Sequence, residues 1–128
     1  MLYRLVAGSL GGGRSAFLIG DVSGHGPNAA ALGASLRAAW RGLTLSETEH
    51  EEAMRSLQAV FEREGADEFA FATVASGQID PTRTRLVIAL AGHPPPILLE
   101  RGTARAIDAA PGPPLGVFGE ADWTGRQP

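Results

Sequence analysis

The sequence contains no cysteine, which excludes disulfide staples, thiolate zinc sites and a cysteine nucleophile. It has no apolar run approaching the length of a transmembrane helix. No basic region followed by an apolar stretch opens the chain, so no signal peptide is expected. A cytoplasmic location without a membrane partner is the default expectation. No cluster of Lys and Arg is present either, and the basic residues are scattered. A nucleic-acid binder usually presents a basic face, so nucleic acid is not an expected partner. The formal net charge is −3. Long-range attraction therefore does not help an anionic substrate, and any phosphate site needs a local positive element such as a metal or a helix N-terminus.

What the 128 residues do contain suits one domain and not two. A hydrophobic fraction of 44% supports a real core, and 17 glycines with 9 prolines mark it as turn-rich. Residues 2–7 read as a short strand. Residues 8–14 form a glycine-rich turn, and Ala16 to Gly20 is a compact apolar run of buried-strand type ending at Asp21. The alanine-rich stretch from Pro27 to Trp40 reads as a helix. Pro27 sits where a missing N–H costs nothing, and Gly42 suits the stop. A second helix is expected after a capping box with Ser46 as N-cap and Glu49 three residues on. Its apolar face is Ala53, Leu57, Val60 and Phe61, and Gly65 ends it.

From Glu68 the period changes to two, with Phe69, Phe71, Thr73 and Ala75 alternating with small residues. Asp80-Pro81-Thr82 is a turn signal, and Arg85 to Ala91 returns as the partner of an antiparallel hairpin. Ile97 to Glu100 and Thr103 to Ile107 form a shorter pair around Arg101-Gly102. After Pro111 the chain turns irregular, and its last ten residues carry no assignable pattern. The fold class is α+β: mainly antiparallel sheet with two helices packed on one face.

The chemistry concentrates in Gly20-Asp21-Val22-Ser23-Gly24-His25-Gly26. This segment places one carboxylate at the end of a buried strand, followed by glycines and a helix start. A carboxylate beside a backbone carbonyl is hard-oxygen ligation, suited to Mg²⁺ or Mn²⁺ rather than zinc. Taken alone, the same residues also read as a β–turn–α junction in which Asp21 caps the following segment. A glycine loop binding phosphate or nucleotide on the helix N-terminus is a further reading. It matches neither GxxxxGK[ST] nor a GxGxxG with its distant acidic residue.

The run GDVSGHGPNAA, followed by an Arg-bearing helix, resembles the signature of PPM-type (protein phosphatase type 2C-like) serine/threonine phosphatases of the SpoIIE/RsbU branch. Three further elements occur in that family's order: Phe71-Ala72-Thr73, Ala91-Gly92-His93-Pro94-Pro95-Pro96, and Gly112-Pro113-Pro114-Leu115-Gly116-Val117. The resemblance implies a sandwich fold and a two-metal mechanism, in which Mn²⁺ or Mg²⁺ ions activate a water that attacks phosphorus. By motif, Asp21 bridges the metals as the catalytic carboxylate and Val22 offers its carbonyl. Gly20, Gly24 and Gly26 shape the turn. His25 and His93, the latter beside Gly92, read mainly as structural, with substrate positioning as the alternative for His25. His50, in an acidic first helical turn, reads as solvated. Asp67, Glu68, Asp80 and Asp108 read the same way.

The sequence departs from the family pattern in its acidic ligands. The family's first metal aspartate lies in a G-G-D segment before the strand that here begins near Leu2. Its later aspartates lie in T-D-G and D-D segments, which Asp122-Trp123-Thr124 does not resemble. Residues 1–128 therefore read as a single partial domain lacking family segments at both ends. Two functions follow from the resemblance: phosphoserine/phosphothreonine hydrolysis, or a non-catalytic remnant that binds a protein partner. The implied partner is a phosphorylated protein, with an anti-sigma-factor antagonist as one candidate. No feature of the sequence bears on oligomeric state.

Overall fold

The computed structural model describes residues 2–9, 12–65, 69–117 and 123, with residues 2–9 described by their backbone alone. Four strands form one antiparallel sheet in the order β1-β2-β3-β4: β1 (Leu2–Ser9), β2 (Ser15–Val22), β3 (Ala72–Ile79) and β4 (Leu86–Ala91). Two helices, α1 (Pro27–Leu45) and α2 (His50–Glu64), are inserted between β2 and β3. A separate hairpin, β5 (Ile97–Glu100) and β6 (Thr103–Ala106), follows. Two helices on one side of an antiparallel sheet is the α+β arrangement expected from the segregated runs.

The main core lies between the sheet and the helices. Alternate residues of the strands point into it: Ala16, Leu18 and Val22 from β2, Ala72 and Val74 from β3, Ala89 and Ala91 from β4. They meet Leu32, Leu36 and Trp40 of α1 and Met54, Leu57 and Phe61 of α2. Period two on the strands and period 3.6 on the helices thus bring their apolar stripes to one layer. The opposite sheet face holds a thinner cluster of Ala75, Ile88 and Leu90, with Phe17, Ile19 and Leu86 half-buried around it.

Several element boundaries differ from the sequence reading. Helix α1 passes through Gly42 to Leu45, and Ser46 ends it: the Ser46 amide and hydroxyl both donate to Gly42 O, at 3.1 and 2.9 Å. Ser46 is therefore not the N-cap of α2. That role falls to Glu49, whose carboxylate accepts the Glu52 amide at 3.3 Å. The capping-box spacing is real, but the serine serves the preceding helix's orphan carbonyls instead. Gly65 does end α2. Strand β3 begins at Ala72, so Phe69 and Phe71 precede it and stand exposed.

His50 is also corrected: it is buried, only 7% exposed, in the helix–sheet layer. Its Nε2–H donates to Ser76 O at 3.1 Å. Beside it the Trp40 indole donates to Ser76 Oγ at 3.0 Å. Desolvation pulls the His50 pKa below its ordinary 6.5, against smaller upward pulls from the Ser76 carbonyl and the Glu49 carboxylate.

Asp80 is not merely solvated. Its carboxylate accepts the Thr84 and Arg85 amides at 2.8 and 2.9 Å and closes the β3–β4 turn. The Thr82 hydroxyl and those amides hold its pKa down at about 2. Asp108 is exposed as expected. Asp67, Glu68 and Asp122 lie outside the described residues.

Candidate functional site

The strand–loop–helix expected around Asp21 is present. Strand β2 carries an apolar alternation that buries Ala16, Leu18 and Val22, and Asp21 is its penultimate residue. Asp21 pairs across the sheet with Leu2 on one side and Thr73 on the other. Its side chain falls on the face opposite to Val22 and is exposed.

Beyond Val22 the chain must turn sharply to enter α1. Gly24 and Gly26 adopt φ of +82° and +87°, a region that L side chains avoid. A Cβ at either would meet nothing within 4 Å, so backbone conformation and not space requires glycine there. Pro27 then opens α1, which has no side-chain cap. His25 is exposed within this loop.

Sequence reasoning missed Ser23 and Phe71, which clamp the loop. The Ser23 amide donates to Phe71 O at 2.8 Å, and the Phe71 amide donates to Ser23 Oγ at 3.0 Å. These bonds extend the β2–β3 pairing past Val22 and fix where the loop departs. The signal available was a serine directly after the strand, the usual place for a side chain that bonds local backbone.

The four motif segments converge on one end of the sheet. Val22 pairs with Ala72, Ala72 bridges to Leu115, and Val74 bridges to Gly92. The segment from Gly112 to Leu115 wedges between the start of β3 and the end of β4, with Gly92 N donating to Gly112 O at 2.7 Å. Gly92 has φ of +63°, and a Cβ there would meet Pro114 at 2.5 Å. This glycine therefore shapes the fold rather than the chemistry. His93 is half-buried, and its Nδ1–H donates to the adjacent Pro94 carbonyl at 2.9 Å. Gly20 lies flat in β2 with room only for close contact to Thr73 O, 3.1 Å from its would-be Cβ.

Two depressions share Val22 at the end of β2. A narrow crevice of about 20 Å³ between β2, β3 and α1 is lined by Gly20, Asp21, Arg37 and Thr73 among others. An open cleft of about 800 Å³ lies on the other side of the loop. Among the described residues, no group of three or more His, Asp or Glu side chains converges on one point. Asp21 and the Val22 carbonyl offer hard oxygen, yet Mg²⁺ takes six such ligands and a pair of ions needs several carboxylates. The described residues therefore do not by themselves fit a two-metal centre. No helix among them is long and apolar enough to cross a membrane.

Comparison with known proteins places this arrangement. Residues 11–127 match the family model described as Stage II sporulation protein E (SpoIIE). The RsbU and RsbW domains of a Mycobacterium tuberculosis protein superpose with a TM-score of 0.84 at 27% identity, covering 99% of this chain and 35% of that one. The PP2C phosphatase domain of Bacillus subtilis SpoIIE, solved with a fragment of its regulatory domain, superposes at 0.78 and 17% identity over 100% of this chain and 36% of that one. A chain from a bacterial stressosome structure superposes at 0.63 and 20% identity, over 98% and 58%. The last two show the shared fold alone. The chain spans about a third of the length of the first two solved chains.

Proposed function

The chain belongs to the SpoIIE family, and from that premise we propose that it serves hydrolysis of phosphoserine or phosphothreonine in a protein substrate, with Mn²⁺ or Mg²⁺ as cofactor. The observation that carries the reading is Asp21: an exposed carboxylate on a strand tip, held beside the Val22 carbonyl by a glycine loop that leads into α1. Asp21 and Val22 are this chain's contribution to cation binding, one corner of a larger ligand set. Gly24 and Gly26 hold the loop geometry, and Ser23 ties it to Phe71. A cation held there would supply Lewis-acid chemistry at the phosphoryl group.

The test is phosphate release from a phosphoserine peptide and from p-nitrophenyl phosphate, with Mn²⁺ and with chelator. Metal-dependent turnover that disappears in Asp21→Asn is expected. Absence of turnover at high protein concentration would refute catalysis by this chain.

A second reading is favoured by the lack of converging ligands among the described residues: a non-catalytic domain that binds a phosphoprotein, such as an anti-sigma-factor antagonist, without hydrolysing it. The relative solved with an RsbW domain alongside its RsbU domain suits a protein partner. Saturable binding of a phosphoprotein whose phosphate stays intact in Mn²⁺ would separate this reading from the first.

A further inference from the structure

The β5–β6 hairpin is a sheet of two strands, and among the described residues no third strand joins either edge. Its turn is Arg101-Gly102, with φ of +49° and +80°, the left-handed pair that closes a tight hairpin and fixes its register. Ile97 therefore faces Ala106, and Leu99 faces Ala104. Every residue of both strands is exposed, with Ile97 and Leu99 at 72% each. Edge strands are usually blunted by internal charge, proline or a bulge. Here Pro96 and Glu100 only flank the run Ile97-Leu98-Leu99.

The backbone shows which groups of β5 are free. The Ile107 amide donates to Pro96 O at 2.9 Å, across the hairpin. Backbone groups alternate in direction along an antiparallel strand. Pro96, Leu98 and Glu100 thus turn theirs toward β6, while Ile97 and Leu99 turn theirs away. The N–H and C=O of Ile97 and Leu99 meet no partner among the described residues. An unpaired edge of this kind is a template for another strand.

A second copy of β5 fits that edge. Antiparallel pairing about a twofold axis at Leu98 sets Ile97 opposite the second copy's Leu99, and Leu99 opposite its Ile97. Every outward N–H and C=O of both copies is then satisfied. Leu98 meets its own counterpart in the close pair between them. Glu100 falls opposite the second copy's Pro96, and both turn their backbone inward, so the missing proline N–H costs nothing. The same operation on β6 sets Arg105 against Arg105, like charges directly opposite, with only alanines beside them. Charge and apolar area both select β5. We infer that the outer edge of β5 pairs with β5 of a second copy of this chain, making one four-stranded sheet from two hairpins. Pairing over so few residues buries well under the ~1,200 Å² of a stable interface, so the dimer is weak and forms at high concentration.

The full chain has no cysteine, so single cysteines report the register under mild oxidation. Leu98→Cys should cross-link to itself, because the close pair brings Cα atoms to ~4.5 Å. Ile97→Cys and Leu99→Cys should each stay mainly monomeric alone and cross-link when mixed, at a Cα separation of ~5.5 Å. Hydrogen exchange of the unsubstituted chain, followed by NMR, is the second readout. Protection of the Ile97 and Leu99 amides should rise about tenfold from dilute to concentrated protein, while the Leu98 and Glu100 amides stay protected throughout. Stronger self-cross-linking of Arg105→Cys than of Leu98→Cys would move the contact to β6 and overturn the assignment. Equal cross-linking at all positions, or Ile97 and Leu99 amides unprotected at every concentration, would overturn it too. Protection of those amides at every dilution would give the edge to another segment of the same polypeptide, against a second copy.

Discussion

At one end of the helix-covered layer, Trp40, His50 and Ser76 close over one another: both side chains are buried and both bond the same residue of β3. At the other end, β2 leaves the layer through Asp21 into a loop of left-handed glycines, between a crevice and an open cleft. The same strands run through both ends, so the difference lies in what the helices bring to each. The sealed end offers large side chains with satisfied polar atoms. The open end offers backbone, small residues and two exposed carboxylates, Asp21 and Glu64. A site has to admit a ligand, so its rigidity must come from the packed elements behind it. Here the sealed end and the shared core supply it.

This contrast predicts a graded series of responses. The largest belongs to the layer common to both ends. Leu57 is fully buried between helices and sheet, and Leu57→Ala should cost about 2–5 kcal/mol by cavity formation. Chemical denaturation should show one transition shifted as a whole. Retained stability would mean that the layer is not a single cooperative unit.

Trp40→Phe removes the indole N–H from Ser76 Oγ inside the sealed end. A loss of about 1–3 kcal/mol is expected from the stranded hydroxyl and the missing ring volume. Peptide binding at the open end should be unchanged at temperatures below unfolding. A change in binding of more than twofold would show that the two ends are coupled rather than merely joined.

Gly26→Ala acts at the open end. A side chain at φ of +87° should cost about 1–2 kcal/mol. Its larger consequence should be a loop that no longer holds the chain after Val22 in its native path into α1, read as lost phosphate release with near-normal circular dichroism. Full activity in Gly26→Ala would sever the glycine geometry from function.

The shallowest response is to pH. His50 binds its proton less readily folded than unfolded, because burial lowers its pKa below 6.5. The unfolded chain therefore takes up more protons as pH falls through this range. Stability from His50 is present above about 6.5 and is lost as pH drops toward the folded pKa. Melting temperatures measured on either side of pH 6.5 should fall toward acid, and His50→Gln should flatten that part of the curve. An unchanged slope in the variant would show that His50 is not the titrating group.

Much of the open end was legible in the sequence, and less of the sealed end. The run GDVSGHG carries its own geometry, because a buried strand, glycines and Pro27 leave few conformations for the turn. The four motif segments were legible as separate signals. Their meeting at one sheet end came only from the pairing of Ala72 with Leu115 and of Val74 with Gly92. His50 was hidden by its acidic neighbours, although it lies three, four and seven residues before the buried Ala53, Met54 and Leu57. Helical spacing already put it on the apolar stripe. Ser46 was misplaced because two helix ends with four residues between them compete for one hydroxyl, and local sequence does not say which wins. The cleft was invisible beforehand, since Glu64 and Phe69 meet Ser23 and His25 only after the helices fold back on the sheet.

Manganese binding followed by electron paramagnetic resonance, in the full chain and in Asp21→Asn, bears most directly on Asp21 as a ligand for a hard cation. The native chain should show bound Mn²⁺ that Mg²⁺ displaces. The variant should lose that signal while keeping its melting temperature. Equal Mn²⁺ binding by both proteins, or none by the native chain, would contradict the metal role of Asp21 and the phosphatase reading built upon it.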